Sequence, residues 1–284
     1  RTGYTFDGWN TSAYGYGTSY TSGGTYTGNA NLTLYAQWTP VTYTVSYNAN
    51  GGSGAPASQT KTHGVNLTLS STKPSRTGYT FDGWNTSSLG YGTSYASGGT
   101  YTGNADLTLY AQWTPITYTV SYNANGGSSA PGNQAKVYDI DLTLSSTKPT
   151  RSGYNFTGWN TNANGNGTSY ASGGKYTGNA NLTLYAQWTP NNYTIVFNGN
   201  GATGGSTASM QMQFNESKPL TENGFVKTGH SFKNWNTQAN GSGTAYEDKQ
   251  TVKNLTASGS STVTLYAQWT PDTYTVHYDS NGGN

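Results

Sequence analysis

The stretch Asn31-Leu-Thr-Leu-Tyr-Ala-Gln-Trp-Thr-Pro40 returns nearly letter for letter as Asp106 to Pro115, Asn181 to Pro190 and Thr262 to Pro271. Self-similarity at a nearly fixed period means a tandem array, and it narrows the choice of fold more than length or composition does. Within the motif Leu32, Leu34, Ala36 and Trp38 share one face of an extended chain, while Thr33, Tyr35 and Gln37 share the other. That two-residue period is the mark of a half-buried strand. The proline after it closes the strand and starts a new unit.

Cutting after each Trp-Thr-Pro gives the organisation. Residues 1–40 read as the C-terminal part of a repeat, 41–115 and 116–190 as complete repeats of 75 residues, 191–271 as a divergent complete repeat of 81, and 272–284 as the first strand of a further repeat. Between Trp38 and Tyr43 lie only Thr39, Pro40, Val41 and Thr42, too short and too stiffened by proline for neighbours to tumble freely. The expected array is a semi-rigid rod in which each repeat has its neighbours as partners.

Inside a repeat, Tyr43-Thr-Val-Ser-Tyr47 alternates as a strand and runs into Asn48-Ala-Asn-Gly-Gly52, a turn signal because Asn and Gly tolerate positive φ. Residues 53–64 carry neither helical spacing nor much helix propensity, and are expected to be loop with at most one short helical turn. Asn66-Leu-Thr-Leu69 reads as a second short strand. Then comes Arg76-Thr-Gly-Tyr-Thr-Phe-Asp-Gly-Trp84, in which Tyr79 and Phe81 share a face and Trp84 has the wrong parity. A β-bulge at Asp82-Gly83 repairs the parity. The position of Gly83 is Gly8, Gly158 and Asn234 in the other copies, so a shared requirement for φ > 0 is expected there.

A hairpin loop follows each of these tryptophans, and its content drifts. Tyr14, Tyr16, Leu89 and Tyr91 become Asn or Ser in the third and fourth copies, a change that a packed core does not readily allow. These four side chains are expected on the surface as candidate contact residues. The structural core is assigned to the tryptophans, Trp9, Trp38, Trp84, Trp113, Trp159, Trp188, Trp235 and Trp269, with Tyr, Phe and Leu around them.

Three separated motifs, Tyr43 to Gly52, Arg76 to Trp84 and Leu107 to Trp113, occur in this order in more than one copy, and the pattern resembles the Listeria-Bacteroides repeat, the module of the internalin B-repeat region. The resemblance covers essentially the whole chain. It implies a mainly β fold, a tandem array of small β-grasp-like modules of about 75 residues with little or no helix. It also implies placement between the sorting signals and binding domains of large bacterial surface proteins, so an extracellular or bacterial cell-surface location. The fourth copy departs furthest, with Lys233-Asn234 for Asp-Gly and His230 for Tyr.

Chemistry is scarce in this sequence. Only 8% of residues are Asp, Glu, Lys or Arg, against roughly 25% in ordinary soluble domains. A formal charge of +2 with no Lys/Arg cluster gives no field for a phosphate backbone, so nucleic acid is not expected as a partner. There is no Cys, hence neither disulfides nor thiolate metal sites. The acid inside the motif, Asp7 or Asp82, is Thr157 and Lys233 elsewhere, too variable for a catalyst, and His63, His230 and His277 stand at non-equivalent positions without a spaced second ligand. No catalytic residue, metal or cofactor is expected. No apolar run approaches the ~20 residues of a membrane span, so no membrane insertion is expected, and targeting signals are expected outside this sequence.

Three functions remain open. The chain is a non-enzymatic spacer or stalk, for which near-identical second and third copies suffice. Alternatively copies associate into a fibre, each giving the strand Tyr274-Thr-Val-His-Tyr278 (Tyr274, Val276 and Tyr278 on one face) to the next, aided by the low charge. In the third reading the Tyr-rich loops form an adhesive surface for glycan or host protein.

Overall fold

The computed structural model describes residues 1–283. The chain divides into two compact units, residues 1–117 with 137–140, and residues 118–136 with 141 onward. All regular structure among the described residues is β-strand.

In the first unit the complete repeat contains the strands Thr42–Asn48, Gln59–Thr62, Leu67–Thr68, Tyr79–Asn85, Ser94–Tyr95, Thr100–Tyr101 and Leu107–Pro115. Five of them form one sheet. The closing strand Leu107–Pro115 lies at its centre, parallel to the opening strand Thr42–Asn48 (Leu107 opposite Val45) and antiparallel to Tyr79–Asn85 (Ala111 opposite Trp84). Gln59–Thr62 and Ser94–Tyr95 form the two edges. A central parallel pair made of the first and last strands, flanked by antiparallel hairpins, is the β-grasp order. Parallel partners need a long crossover, and here the whole interior of the repeat supplies it. In place of a helix the short pair Leu67–Thr68 with Thr100–Tyr101 closes over the sheet, and brings Leu69 and Tyr101 into one cluster with Val45, Trp84, Leu109 and Ala111.

The second unit repeats this order twice. The sheet of the third repeat runs Gln134–Val137, Thr117–Asn123, Leu182–Pro190, Tyr154–Asn160, Ser169–Tyr170, and that of the fourth runs Met210–Gln213, Asn192–Asn198, Ser261–Pro271, His230–Asn236, Ala245–Tyr246. Trp159 and Trp235 occupy the centres of their clusters as Trp84 does. Residues 1–40 form a three-stranded sheet, Ser19–Tyr20, Tyr4–Asn10, Tyr35–Pro40.

The bulge is present in every copy. Phe81 pairs with Trp113 and Gly83 with Gln112, leaving Asp82 as the extra residue, and the same shift occurs at Asp7, Thr157 and Lys233. It turns Trp84 onto the face of Phe81, whose ring meets the indole edge-on at 5.2 Å. The expected common backbone conformation is corrected: Gly8, Gly83 and Gly158 have φ of 136°, 140° and 146°, whereas Asn234 is not among the residues of positive φ. The glycines swing into a region open to them, and the bulge itself accepts an ordinary φ.

The stretch read as loop between Ser53 and Gly64 holds a sheet strand, Gln59–Thr62. Its inward residues are Gln59 and Lys61. Lys61 is 1% exposed, and its Nζ donates to Thr62 O at 2.8 Å and to Asn104 Oδ1 at 3.1 Å. Met212 holds that position in the fourth repeat, opposite Tyr193 as Lys61 is opposite Tyr43.

Candidate functional site

The two tryptophans of a repeat stand in different surroundings. Trp84, Trp159 and Trp235 are at most 1% exposed. Trp9, at the same motif position in residues 1–40, is 38% exposed, because no strand equivalent to Thr42–Asn48 lies beside Tyr35–Pro40. Trp38, Trp113, Trp188 and Trp269 are half-buried. Trp113 packs on the core with one face and donates its Nε1 to Ala49 O (3.0 Å) and Asn50 O (3.1 Å), which ties the Asn-Gly turn to the closing strand. Trp188 and Trp269 hold the equivalent turns through Ala124, Asn125 and Gly199. From the other side Asn50, at φ 48°, donates Nδ2 to Ser88 O and Ala111 O.

Sequence reasoning passed over the residue after the buried tryptophan. Asn85 is itself 1% exposed. Its Nδ2 donates to Gly90 O (3.3 Å), Gly92 O (3.1 Å) and Ser94 Oγ (3.0 Å), while its Oδ1 accepts from Ser87 N (2.8 Å) and Gly92 N (3.0 Å). Asn10, Asn160 and Asn236 form corresponding networks. The signal was available in the Gly-Trp-Asn or Asn-Trp-Asn of all four copies. A carboxamide both donates and accepts, which lets one side chain organise a loop from inside.

That anchor projects the loop tip into solvent. Tyr14, Tyr16, Leu89 and Tyr91 are 84%, 93%, 75% and 89% exposed. Two of the tips are thus apolar and aromatic, and the other two carry Asn and Ser. Tyr274, Val276 and Tyr278 are also exposed, and no strand includes them.

The joints between repeats are built alike. At the first, Val41 N donates to Gly3 O and His63 N donates to Val41 O, both at 2.9 Å. Ile116 makes the same pair with Gly78 and Tyr138, and Asn191 with Gly153 and Phe214. A ring therefore lies on each glycine: a Cβ on Gly3 would fall 2.0 Å from the nearest atom of His63, and on Gly78 and Gly153 2.3 Å from Tyr138 and Phe214. The same ring meets Tyr4, Tyr79 or Tyr154 edge-on at 5.9, 5.7 and 5.6 Å. Arg1, Arg76 and Arg151 lie over those tyrosines at 3.7, 3.9 and 4.0 Å from the ring centre.

Ionisable groups meet in exposed surface pairs, Lys175 with Asp141 at 3.6 Å and Lys249 with Glu222 at 2.6 Å. No group of three His, Asp or Glu residues is placed to hold a metal ion among the described residues. His63 Nδ1 is 3.1 Å from Tyr43 Oη, His230 Nδ1 is 3.0 Å from Thr228 O, and His277 is exposed in an unpaired segment. The motif acids Asp7 and Asp82 accept hydrogen bonds from Thr39 and Thr114 across the sheet, at 2.6 and 2.7 Å. Burial is the main cause that raises the phenols of Tyr47, Tyr122 and Tyr193 above their ordinary value, and each accepts a backbone N–H, from Ser70, Ser145 and Leu255 respectively.

Comparison with known proteins agrees with this geometry. The model of the Listeria-Bacteroides repeat domain matches residues 1–37, 43–112, 118–187 and 193–268. A protein of Evansella cellulosilytica named as a Gly-rich membrane protein is 34% identical over 304 aligned residues, covering 100% of this chain and 32% of that protein. A second protein of that organism, named as a membrane protein, is 34% identical over 84% of this chain and 34% of its own length. Internalin H of Listeria monocytogenes is 36% identical over 42% of this chain and 21% of its own length. The chain thus spans about a third of the two Evansella proteins. Four matched stretches carry the Trp-Asn pair and the Leu-Tyr-Ala-Gln of the closing motif at corresponding places, and on that evidence the chain belongs to the Listeria-Bacteroides repeat family.

Proposed function

We propose that these residues serve as a non-enzymatic spacer, a stalk segment of a large protein on the bacterial surface. The observation that carries this reading is the sameness of residues 41–115 and 116–190. Their opening strands share one burial pattern, and so do their Trp-bearing strands and their closing strands. A binding or catalytic site needs one unique constellation, whereas a spacer needs only copies of a module that stacks on its neighbours. The likeness to internalin H and to two proteins named as membrane proteins supports a surface setting. The test is deletion of residues 41–190 from the intact protein, with adhesion and display measured on cells. The spacer reading expects the remaining domains to keep their affinity for isolated ligand while contact with a second cell falls. Unchanged contact between cells would overturn it.

A second reading is favoured by the aromatic tips. Tyr14, Tyr16 and Tyr91 offer rigid, amphipathic rings at low entropic cost, the composition of an adaptable binding loop. In this reading the first two loops bind glycan or host protein, and the Asn- and Ser-bearing loops do not. Replacing all three tyrosines by Ser should abolish binding on a glycan or host-protein array. An array blank for the unaltered protein removes the reading.

A further inference from the structure

The three rings that rest on Gly3, Gly78 and Gly153 are absent from the core clusters of the repeats that carry them. We infer that each glycine is a socket, and that the ring from the succeeding repeat is the plug that locks the joint between neighbours.

Backbone conformation alone does not call for glycine here. At φ values of 74° to 81° Asn and Asp are tolerated as well. Space adds a second reason at these three positions, since any Cβ would lie inside the ring, whereas Gly229, at the same motif position in the fourth repeat, has nothing within 4 Å. Gly54 supplies the contrast: its φ is 73°, yet a Cβ there would meet nothing within 4 Å. The plugs, His63, Tyr138 and Phe214, share a flat ring and little else. Polar recognition is therefore not what fills the socket; a planar side chain of any polarity does.

The layers act together. Arg151 covers one face of Tyr154, Phe214 and Tyr154 meet edge to face, and the ring of Phe214 covers Gly153. Asn191 fastens the backbone on both sides, donating to Gly153 O and accepting from Phe214 N, each at 2.8 Å. Asn215 Nδ2 adds a bond to Tyr154 Oη at 2.6 Å. An edge-on aromatic pair and a cation over a ring each contribute modestly, and a tightly packed stack adds to both. An array coupled in this way has a nearest-neighbour interface of its own, separate from the stability of each module. The partner that fits the surface is an aromatic residue just after the second strand of another repeat of this family.

The test is segment-resolved amide exchange on the full chain with Phe214→Ala, Phe214→Tyr, Gly153→Ala and Gly54→Ala. Phe214→Ala and Gly153→Ala should speed exchange of the joint amides of Asn191 and Phe214 roughly tenfold or more, while the amides of Ile195 and Leu265 in the core keep their rates. Phe214→Tyr and Gly54→Ala should leave the joint unchanged. Unaltered joint exchange in Phe214→Ala would overturn the inference. So would an equal acceleration at Ile195 and Leu265, because Phe214 would then belong to its own repeat's core.

Discussion

Asn85→Ala is expected to be among the most damaging single changes that touch no apolar core atom. The side chain makes five hydrogen bonds from a site 1% exposed. At a net contribution of about 0.5 to 1.5 kcal/mol each, a simple sum reaches several kcal/mol. The partners belong to an exposed loop, however, and Gly90 O, Gly92 O and Ser94 Oγ recover water once the carboxamide is gone. The low end is therefore appropriate, and the expected loss is about 2 to 3 kcal/mol. For a module of this size, with a urea slope of about 1 kcal/mol per molar, the midpoint of that repeat should fall by about 2 to 3 M. Asn85→Asp should cost at least as much at neutral pH, since a carboxylate would face the carbonyl oxygens of Gly90 and Gly92, neither of which can donate to it. The assay is urea unfolding followed by amide exchange in Leu107–Pro115, with Asn160→Ala as an internal replicate in the third repeat. A midpoint lowered by less than about 0.5 M would refute the reasoning, because the loop would then hold its shape without the anchor.

Three further outcomes are expected. Trp84→Ala should destabilise its repeat by about 3 to 5 kcal/mol and Trp9→Ala by clearly less, given the exposure of Trp9, as read by exchange in Tyr79–Asn85 and Tyr4–Asn10. Lys61→Met should be neutral to stabilising by about 1 to 2 kcal/mol in a thermal melt, because Met212 already fills that position and no buried cation then needs solvation; a large loss would mean that the bonds to Thr62 and Asn104 hold the fold. The phenols of Tyr47, Tyr122 and Tyr193 have folded-state values above their ordinary 10.0, so their contribution is full below pH 10. It is lost as the pH climbs through the folded values, since the unfolded chain gives up those protons first. Urea midpoints should hold between pH 8 and 9.5 and fall above about pH 10.

Much of the fold is legible in the residues because the repeat is written four times. The alternation in Leu107 to Trp113 marks the central strand, and the parity of Trp84 against Phe81 marks the bulge. The strand Gln59–Thr62 is hidden, since its inward side chains are Gln and Lys rather than apolar residues. The divergent copy shows the same strand openly as Met210-Gln-Met-Gln213, buried and exposed in turn. Asn85 escapes for a related reason: an asparagine after a tryptophan reads as a turn residue, and only the loop folded over it shows all five hydrogen bonds at once. The joint is half legible. The recurring Trp-Thr-Pro marks where one repeat meets the next, but the ring that seats on Gly153 comes from Phe214, too distant in sequence for any local pattern to reveal. The exposure of Tyr14, Tyr16, Leu89 and Tyr91 follows from their drift to Asn or Ser in the later copies.

The most direct test of the account varies the number of repeats and measures reach. In the intact protein on its cell, an epitope placed ahead of residue 1 would be located relative to the cell surface with the natural repeats, with residues 41–115 deleted, and with that stretch duplicated. The account predicts that the epitope moves inward with the deletion and outward by a similar step with the duplication, while the amide exchange of the remaining repeats is unchanged. An epitope whose distance ignores repeat number would contradict it.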